Sequence, residues 1–227
     1  MHIIERLHTF PCFSGLDTSQ LGVLAENLTT QHFRRGEPIF HQGSAGSVFY
    51  MLLIGQVRVF TTSASGVELA VTMLRAGDFF GELALLDGQP RSASVAAMSP
   101  VTALLLQRSV FLAALNAHPP IAVALLEAMA ARLRQSTSHA DMLSSASAAQ
   151  RVALQLLVLA RHSSQQLGGR QIDLRLTQDD LASLAGTTRE TVNRVLAALR
   201  DRGLIEIARA RVTVVDVAQM ETAISSM

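Results

Sequence analysis

Two short stretches hold charged side chains where chemistry is to be expected. In GELALLDGQPRSAS, Gly81 to Ser94, an acid and a base, Glu82 and Arg91, stand among small and apolar residues. The stretch reads as buried, and a buried charge needs a partner. Either the two pair across the loop, or a ligand from outside meets them. In TTRETVNRVL, Thr187 to Leu196, the exposed positions Arg189, Glu190, Asn193 and Arg194 fall near the start of a helix. An arginine can give two parallel hydrogen bonds to guanine O6 and N7, and a glutamate can accept from cytosine N4. The plain alternative is a solvated face on which Glu190 and Arg194 pair at i,i+4 spacing.

The second stretch has its supporting elements on either side. Thr177 is placed to cap a short helix with Leu181 and Leu184 inward, and Ala185-Gly186-Thr187 forms a tight turn. The next helix, capped near Thr188, buries Val192, Val195, Leu196 and Leu199. Two helices joined by a glycine-bearing turn make a helix-turn-helix. Past Gly203, LIEIARARVTVVDV reads as a two-stranded hairpin, which makes the unit winged.

The first stretch lies in a different kind of sequence. Between about residues 31 and 108, glycines at Gly36, Gly43, Gly46, Gly55, Gly66, Gly77, Gly81 and Gly88 separate short β-rich runs such as VFYMLLI and VELAVTML. Turns at that spacing predict an antiparallel sandwich or roll. Ahead of it, Asp17 caps a short helix with Leu21, Leu24 and Leu28 on one face. After Pro119 and Pro120 the apolar spacing becomes helical. Leu126, Met129, Leu133, Ser136, Ala140 and Leu143 follow one another by 3, 4, 3, 4 and 3 residues. Such a narrow heptad seam fits a second copy of the same helix; packing onto the chain's own roll is the alternative. Ser136, with Thr137 beside it, is the polar exception. SSASAAQ, Ser144 to Gln150, then reads as a hinge, with Ser147 and Gln150 at capping-box spacing.

Composition limits the function classes. With 49% hydrophobic and 16% charged residues the chain reads as folded, and every one of its 19 basic residues is arginine. Residues 1 to 145 hold nine arginines against ten acids, net −1; residues 146 to 227 hold ten against eight, net +2. That bias alone does not identify a nucleic-acid binder. The one cysteine, Cys12, can form no internal disulfide and no ordinary iron-sulfur cluster. Glu127 and Gln155 interrupt the most apolar stretches, and Glu5 and Arg6 occupy the place of a signal peptide's apolar run. A cytoplasmic protein without a membrane partner is expected. Seven histidines lie scattered without metal-ligand spacing, and no nucleophile-base pair can be assembled. The expectation is therefore no enzyme, no catalytic residue and no metal, with haem held by a histidine left open.

Over nearly its whole length the chain resembles transcription regulators of the cyclic-AMP receptor and fumarate-nitrate reductase regulator (Crp/Fnr) family. GELALLDGQPRSAS is similar to the phosphate-binding cassette of cyclic-nucleotide-binding domains, and TTRETVNRVL to the recognition helix of the cyclic-AMP receptor branch. The resemblance implies an α+β chain: a jelly-roll-like antiparallel β-roll at 1–118, a long dimerisation helix and hinge at 119–146, and a winged helix-turn-helix at 147–227. It also implies a homodimer on double-stranded palindromic DNA, with RNA polymerase as a further partner. Under it Arg91 gives a bidentate contact to one phosphodiester, beside Gly81, Leu83 and Ser92, and Glu82 accepts from the ribose 2′-hydroxyl. Arg132 holds Glu82, while Ser136 and Thr137 meet the purine held by the partner subunit. Thr177, Thr187 and Thr188 join Arg189, Glu190, Asn193 and Arg194 on DNA, at a TGTGA-like half-site.

Two departures stand out. The cyclic-AMP receptor pattern on the long helix is Thr-Ser, where this chain has Ser136-Thr137, and Ala208-Arg209-Ala210 lacks the glycine common in the wing turn. Cyclic AMP is the expected effector, with cyclic GMP, cyclic di-GMP or no ligand as alternatives. A nucleotide-binding module serving a protein partner is the reading from another class, against which Arg189, Glu190 and Arg194 argue.

Overall fold

In a computed structural model of the chain, residues 3–64, 68–167, 172–174, 177–208 and 211–225 are described. Two compact units divide the chain, Met1–Ser136 and Thr137–Met227. The first opens with helix α1 (Ile3–Leu7), a 3-10 turn (Pro11–Phe13) and α2 (Thr18–Ala25). Strands β1 (Leu28–Phe33), β2 (Pro38–Phe40), β3 (Val48–Ile54), β4 (Gln56–Thr62), β5 (Glu68–Arg75) and β6 (Phe79–Phe80) follow. Then come α3 (Glu82–Asp87), β7 (Ser94–Ala97), β8 (Val101–Gln107), α4 (Arg108–Ala117) and the long α5 (Pro119–Ser145).

The strands form two antiparallel four-stranded sheets, ordered β1-β8-β3-β6 and β2-β7-β4-β5. VFYMLLI is an unbroken apolar run because β3 is covered on both faces. Phe49 and Met51 pack with Leu21, Leu104, Phe111 and Ile121 beneath the helices, while Tyr50 and Leu52 turn towards Val57, Leu74 and Val95 of the other sheet.

Asp17 caps α2 in a full capping box with Gln20, and Leu21 and Leu24 are buried. The helix ends at Ala25, so Leu28 is not on its face but opens β1. The β-branched pair Thr29-Thr30 continues as strand against β8, and Leu28 reaches the same core from there.

Helix α5 buries Ile121 and Leu125 and half-buries Ala128 and Met129 against the core of the roll. Its other face is uncovered: Leu126 is 65% and Leu133 68% exposed, and Ser136 and Ala140 are also exposed. The side chain of Leu143 lies outside the described residues. Among the described residues no single helix is long and apolar enough to cross a membrane.

The second unit takes in the end of α5, α6 (Ala148–Leu167), β9 (Ile172–Leu174), α7 (Gln178–Leu184), α8 (Arg189–Asp201), β10 (Ile205–Ala208), β11 (Arg211–Val214) and α9 (Val217–Ser225). Ser147 and Gln150 exchange both capping-box bonds, at 2.9 and 3.2 Å. Strands β10 and β11 pair antiparallel, and β9, which the sequence pattern did not single out, adds to β11. The wing turn, Arg209 and Ala210, lies outside the described residues. Val152, Leu156, Leu181, Val192, Leu196, Leu199, Ile205, Val214 and Met220 form the buried interior.

Candidate functional site

The cassette begins where β6 runs into α3. Gly81 turns the chain there with φ of +85°, a region that carries a steric penalty for any residue with a Cβ. A Cβ at Gly81 would also stand 2.6 Å from Arg91 Nη1, so backbone and guanidinium meet without room for a side chain. Gly46 serves the same purpose on the facing loop, where a Cβ would fall 3.0 Å from Arg91 Cζ and 2.5 Å from Ala84 Cβ. The arginine's own backbone is clamped to that loop: Gly43 N–H donates to Arg91 O at 2.8 Å, and Arg91 N–H to Ser44 O at 2.8 Å.

Within this cradle Arg91 is 5% exposed. Nη1 donates to Gly81 O at 2.7 Å and Nη2 to Val48 O at 2.8 Å, while Nε is buried without a partner among the described residues. The guanidinium lies 4.2 Å from the centre of the Phe40 ring and 5.8 Å from that of Tyr50. Tyr50 stacks on Phe80 at 4.9 Å, and Phe40 leans on both rings at 5.6 and 5.8 Å. Burial lowers the affinity of this guanidinium for its proton and raises the pKa of the Tyr50 phenol. Arginine nevertheless stays cationic in proteins, so the cassette contains a fixed, dry positive charge.

Glu82 makes no ion pair with it, although its charge partly offsets the effect of burial there. The carboxylate is 5% exposed, and its ion pair is with Arg132, Nη1 to Oε1 at 2.9 Å. Arg132 also donates Nη2 to Phe79 O and lies 4.5 Å over the Phe79 ring. Pairing of Glu82 with Arg91 across the loop, one of the sequence-level alternatives, is not formed. Each has other partners, and one oxygen of the carboxylate, Oε2, takes no bond from a described residue. Gly81, Glu82, Arg91 and Arg132 are thus brought together by direct or shared bonds. Leu83, Ser92 and Ser136 are exposed and make none of these, and Thr137 is exposed on α5. The aromatic wall of Phe40, Tyr50 and Phe80 and the close approach of Gly46 escaped sequence reading. Three of the chain's few aromatic residues, each on a different strand, were the available signal.

In the second unit Thr177 caps α7 through a box with Asp180, and Gly186, at φ of +56°, makes the turn that lets Thr187 N–H reach Ala182 O at 3.0 Å. Thr188 caps α8, accepting from Thr191 N–H. Arg189, Glu190, Asn193 and Arg194 are all exposed, and Val192, Val195, Leu196 and Leu199 are buried beneath them. The Glu190–Arg194 pair of the plain alternative is not formed: neither side chain has a partner among the described residues. Arg189 instead reaches back to α7, where Nε donates to Gln178 Oε1 at 3.2 Å and Nη1 lies 3.6 Å from Asp179 Oδ2.

Another arginine was missed entirely. Arg151, on α6, donates to the carbonyls of Ala185 at 2.8 Å, Gly186 at 3.0 Å and Ala146 at 3.0 Å. It ties the helix-turn-helix turn to the hinge residues. Nearby, His139 Nδ1 and the Gln155 amide share a hydrogen bond at 2.9 Å, while His139 Nε2 is buried without a partner among the described residues. Desolvation lowers the pKa of this imidazole. Burial pushes the Cys12 thiol up to about 12, so it is no ready thiolate. Among the described residues no cluster of three metal-ligating side chains is assembled.

Comparison with known proteins agrees with this geometry. Residues 30–118 match the family model of the cyclic nucleotide-binding domain, and residues 150–223 that of the Crp-like helix-turn-helix domain. The chain is 36% identical over 211 residues to the cyclic AMP receptor protein of Thermus thermophilus, covering 93% of this chain and 95% of that one. It is 33% identical over 205 residues to the CRP-like cAMP-activated global transcriptional regulator of Mycobacterium tuberculosis, covering 90% and 92%. The solved structure of FixK2 from Bradyrhizobium japonicum superposes with a TM-score of 0.76 over 86% of this chain and 96% of that one; at 23% identity, that likeness concerns the fold alone.

Proposed function

Because the chain belongs to the Crp/Fnr family of transcription regulators, with a cyclic nucleotide-binding domain and a Crp-like helix-turn-helix domain, we propose that it acts as a homodimer whose affinity for a palindromic DNA site is set by cyclic AMP. The observation that carries the effector half is Arg91. A buried guanidinium with no carboxylate partner and an orphaned Nε is costly unless an anion completes it. A single phosphodiester supplies that anion, and Arg91 is the one arginine of the cassette, which favours a cyclic mononucleotide over a dinucleotide. Glu82, steadied by Arg132, keeps Oε2 for a ribose hydroxyl. The names of the Thermus and Mycobacterium relatives support cyclic AMP in particular.

The uncovered Leu126 and Leu133 supply the dimer seam, with Ser136 and Thr137 in register to meet the purine of the other subunit. The free Glu190 and Arg194, with Arg189 and Asn193, read the TGTGA-like half-site in the major groove. Thr177, Thr187 and Thr188 bind phosphates nearby, and RNA polymerase is the protein partner. Calorimetry against cyclic AMP, cyclic GMP and cyclic di-GMP, followed by selection from random duplex DNA with and without cyclic AMP, tests the whole. Expected are one cyclic AMP site per chain and recovery of a two-fold motif with G·C pairs in each half. Preference for cyclic di-GMP overturns the effector assignment, and a motif lacking those pairs overturns the DNA assignment.

A further inference from the structure

Arg189 leads the base-reading face of α8, yet within the chain its guanidinium is already engaged. Arginine reads guanine by presenting two parallel N–H groups along one edge, either Nε with Nη2 or Nη1 with Nη2. Gln178 takes a donor of the first edge at 3.2 Å, and Asp179 stands 3.6 Å from a donor of the second. Neither edge is wholly free. The two contacts differ in kind: the first is a hydrogen bond, whereas the second is an ion pair beyond hydrogen-bond length, between side chains 63% and 69% exposed. The second is the one that yields.

Beyond its place as a first-turn acid of α7, where it favours the helix dipole, the Asp179 carboxylate has no hydrogen bond among the described residues. Its neighbour Asp180 is held in the cap, accepting from Thr177 N–H at 2.9 Å and from Thr177 Oγ1 at 2.6 Å. Among the described residues the Asp179 carboxylate meets only Arg189. It therefore places a negative charge beside Arg189, while Arg194, also exposed, has no carboxylate partner among the described residues.

We infer that Asp179 sets the specificity of the DNA interface: it neutralises Arg189 towards phosphates and yields it only where a guanine edge offers O6 and N7 together. Gln178 keeps the guanidinium aimed during that exchange. A phosphate merely replaces one oxyanion by another and brings the displaced carboxylate close to the backbone charge, so sequence-independent binding gains little from Arg189. This rests on the proposed reading in which Arg189 enters the groove.

The test compares the full chain with Asp179→Asn, Arg189→Met and the double variant by fluorescence anisotropy, with cyclic AMP present. The duplexes are the selected site and a shuffled one, across a salt series. Asp179→Asn is expected to tighten binding to the shuffled duplex about three- to tenfold, and to steepen the slope of log affinity against log salt by about one per subunit. The selected site should gain less, so discrimination falls. In the Arg189→Met background, Asp179→Asn should change neither affinity. If the gain persists there, Asp179 acts as plain repulsion and the inference fails; it fails equally if both duplexes gain alike or neither does. Wild-type protein that does not prefer the selected duplex rejects the parent reading as well, whereas normal wild-type preference with an inert Asp179→Asn rejects only the role of Asp179.

Discussion

Replacing Arg91 by leucine separates what the cassette arginine does for the fold from what it does for a ligand. Two carbonyls, Gly81 O and Val48 O, lose donors at 2.7 and 2.8 Å. Bonds to a charged donor are worth about 1.5–3 kcal/mol each. Against that loss, the change removes a buried Nε that has no partner among the described residues and the desolvation of a cation, which offset it in part. The net effect on folding should stay within about 2 kcal/mol, or several degrees in Tm.

A phosphodiester bound in the same pocket has no such compensation. Deleting one partner of a buried charge pair costs about 3–5 kcal/mol, which at about 1.4 kcal/mol per decade is on the order of 10²- to 10³-fold in Kd. Arg91→Lys, which keeps the charge but not the planar fork, should fall between. Calorimetry with cyclic AMP reads the affinity, and circular dichroism checks the fold. A folded Arg91→Leu protein binding within about threefold of wild type would refute the assignment, because a dry anion site cannot lose its cation so cheaply.

The remaining predictions concern the second unit. Arg151→Met removes three guanidinium bonds to the carbonyls of Ala185, Gly186 and Ala146. It should destabilise that unit by about 1–3 kcal/mol and weaken DNA binding while leaving cyclic AMP affinity intact; scanning calorimetry combined with titration checks this, and an unmoved unfolding transition contradicts it. Burial lowers the pKa of His139, so the folded chain binds fewer protons there than the unfolded chain. The associated stability is present above about pH 6.5 and is lost as pH falls, at no more than about 1.4 kcal/mol per pH unit. Urea midpoints at about pH 8 and about pH 5.5 should therefore diverge more in wild type than in His139→Gln.

What the sequence revealed and what it concealed divide along a physical line. Caps, turns and buried helix faces were readable because each rests on residues a few positions apart: Asp17 with Gln20, Ser147 with Gln150, Val192 with Val195, Leu196 and Leu199. Leu28 shows where local spacing misleads, since the helical period continues through it while the strand partner in β8 draws it away. The partners of individual charges were less legible. Glu190 and Arg194 have helical pairing distance yet no bond among the described residues, and Arg189 turns to another helix, whereas the Glu82–Arg132 pair, fifty residues apart, was legible only through the family resemblance and is formed. Arg151 and the Phe40–Tyr50–Phe80 wall depend on tertiary approach alone, which periodicity cannot express.

The wall has an optical consequence. The chain contains no tryptophan and one tyrosine, Tyr50. Its near-ultraviolet emission therefore arises from a phenol stacked on Phe80, 5.8 Å from a guanidinium carbon. Any displacement of Arg91 changes the electric field at that ring, and with it the excited-state lifetime. The unlabelled protein thus carries a single tyrosine emitter beside its cassette arginine, excitable to the red of its nine phenylalanines, and time-resolved emission can follow the arginine in real time with no dye attached.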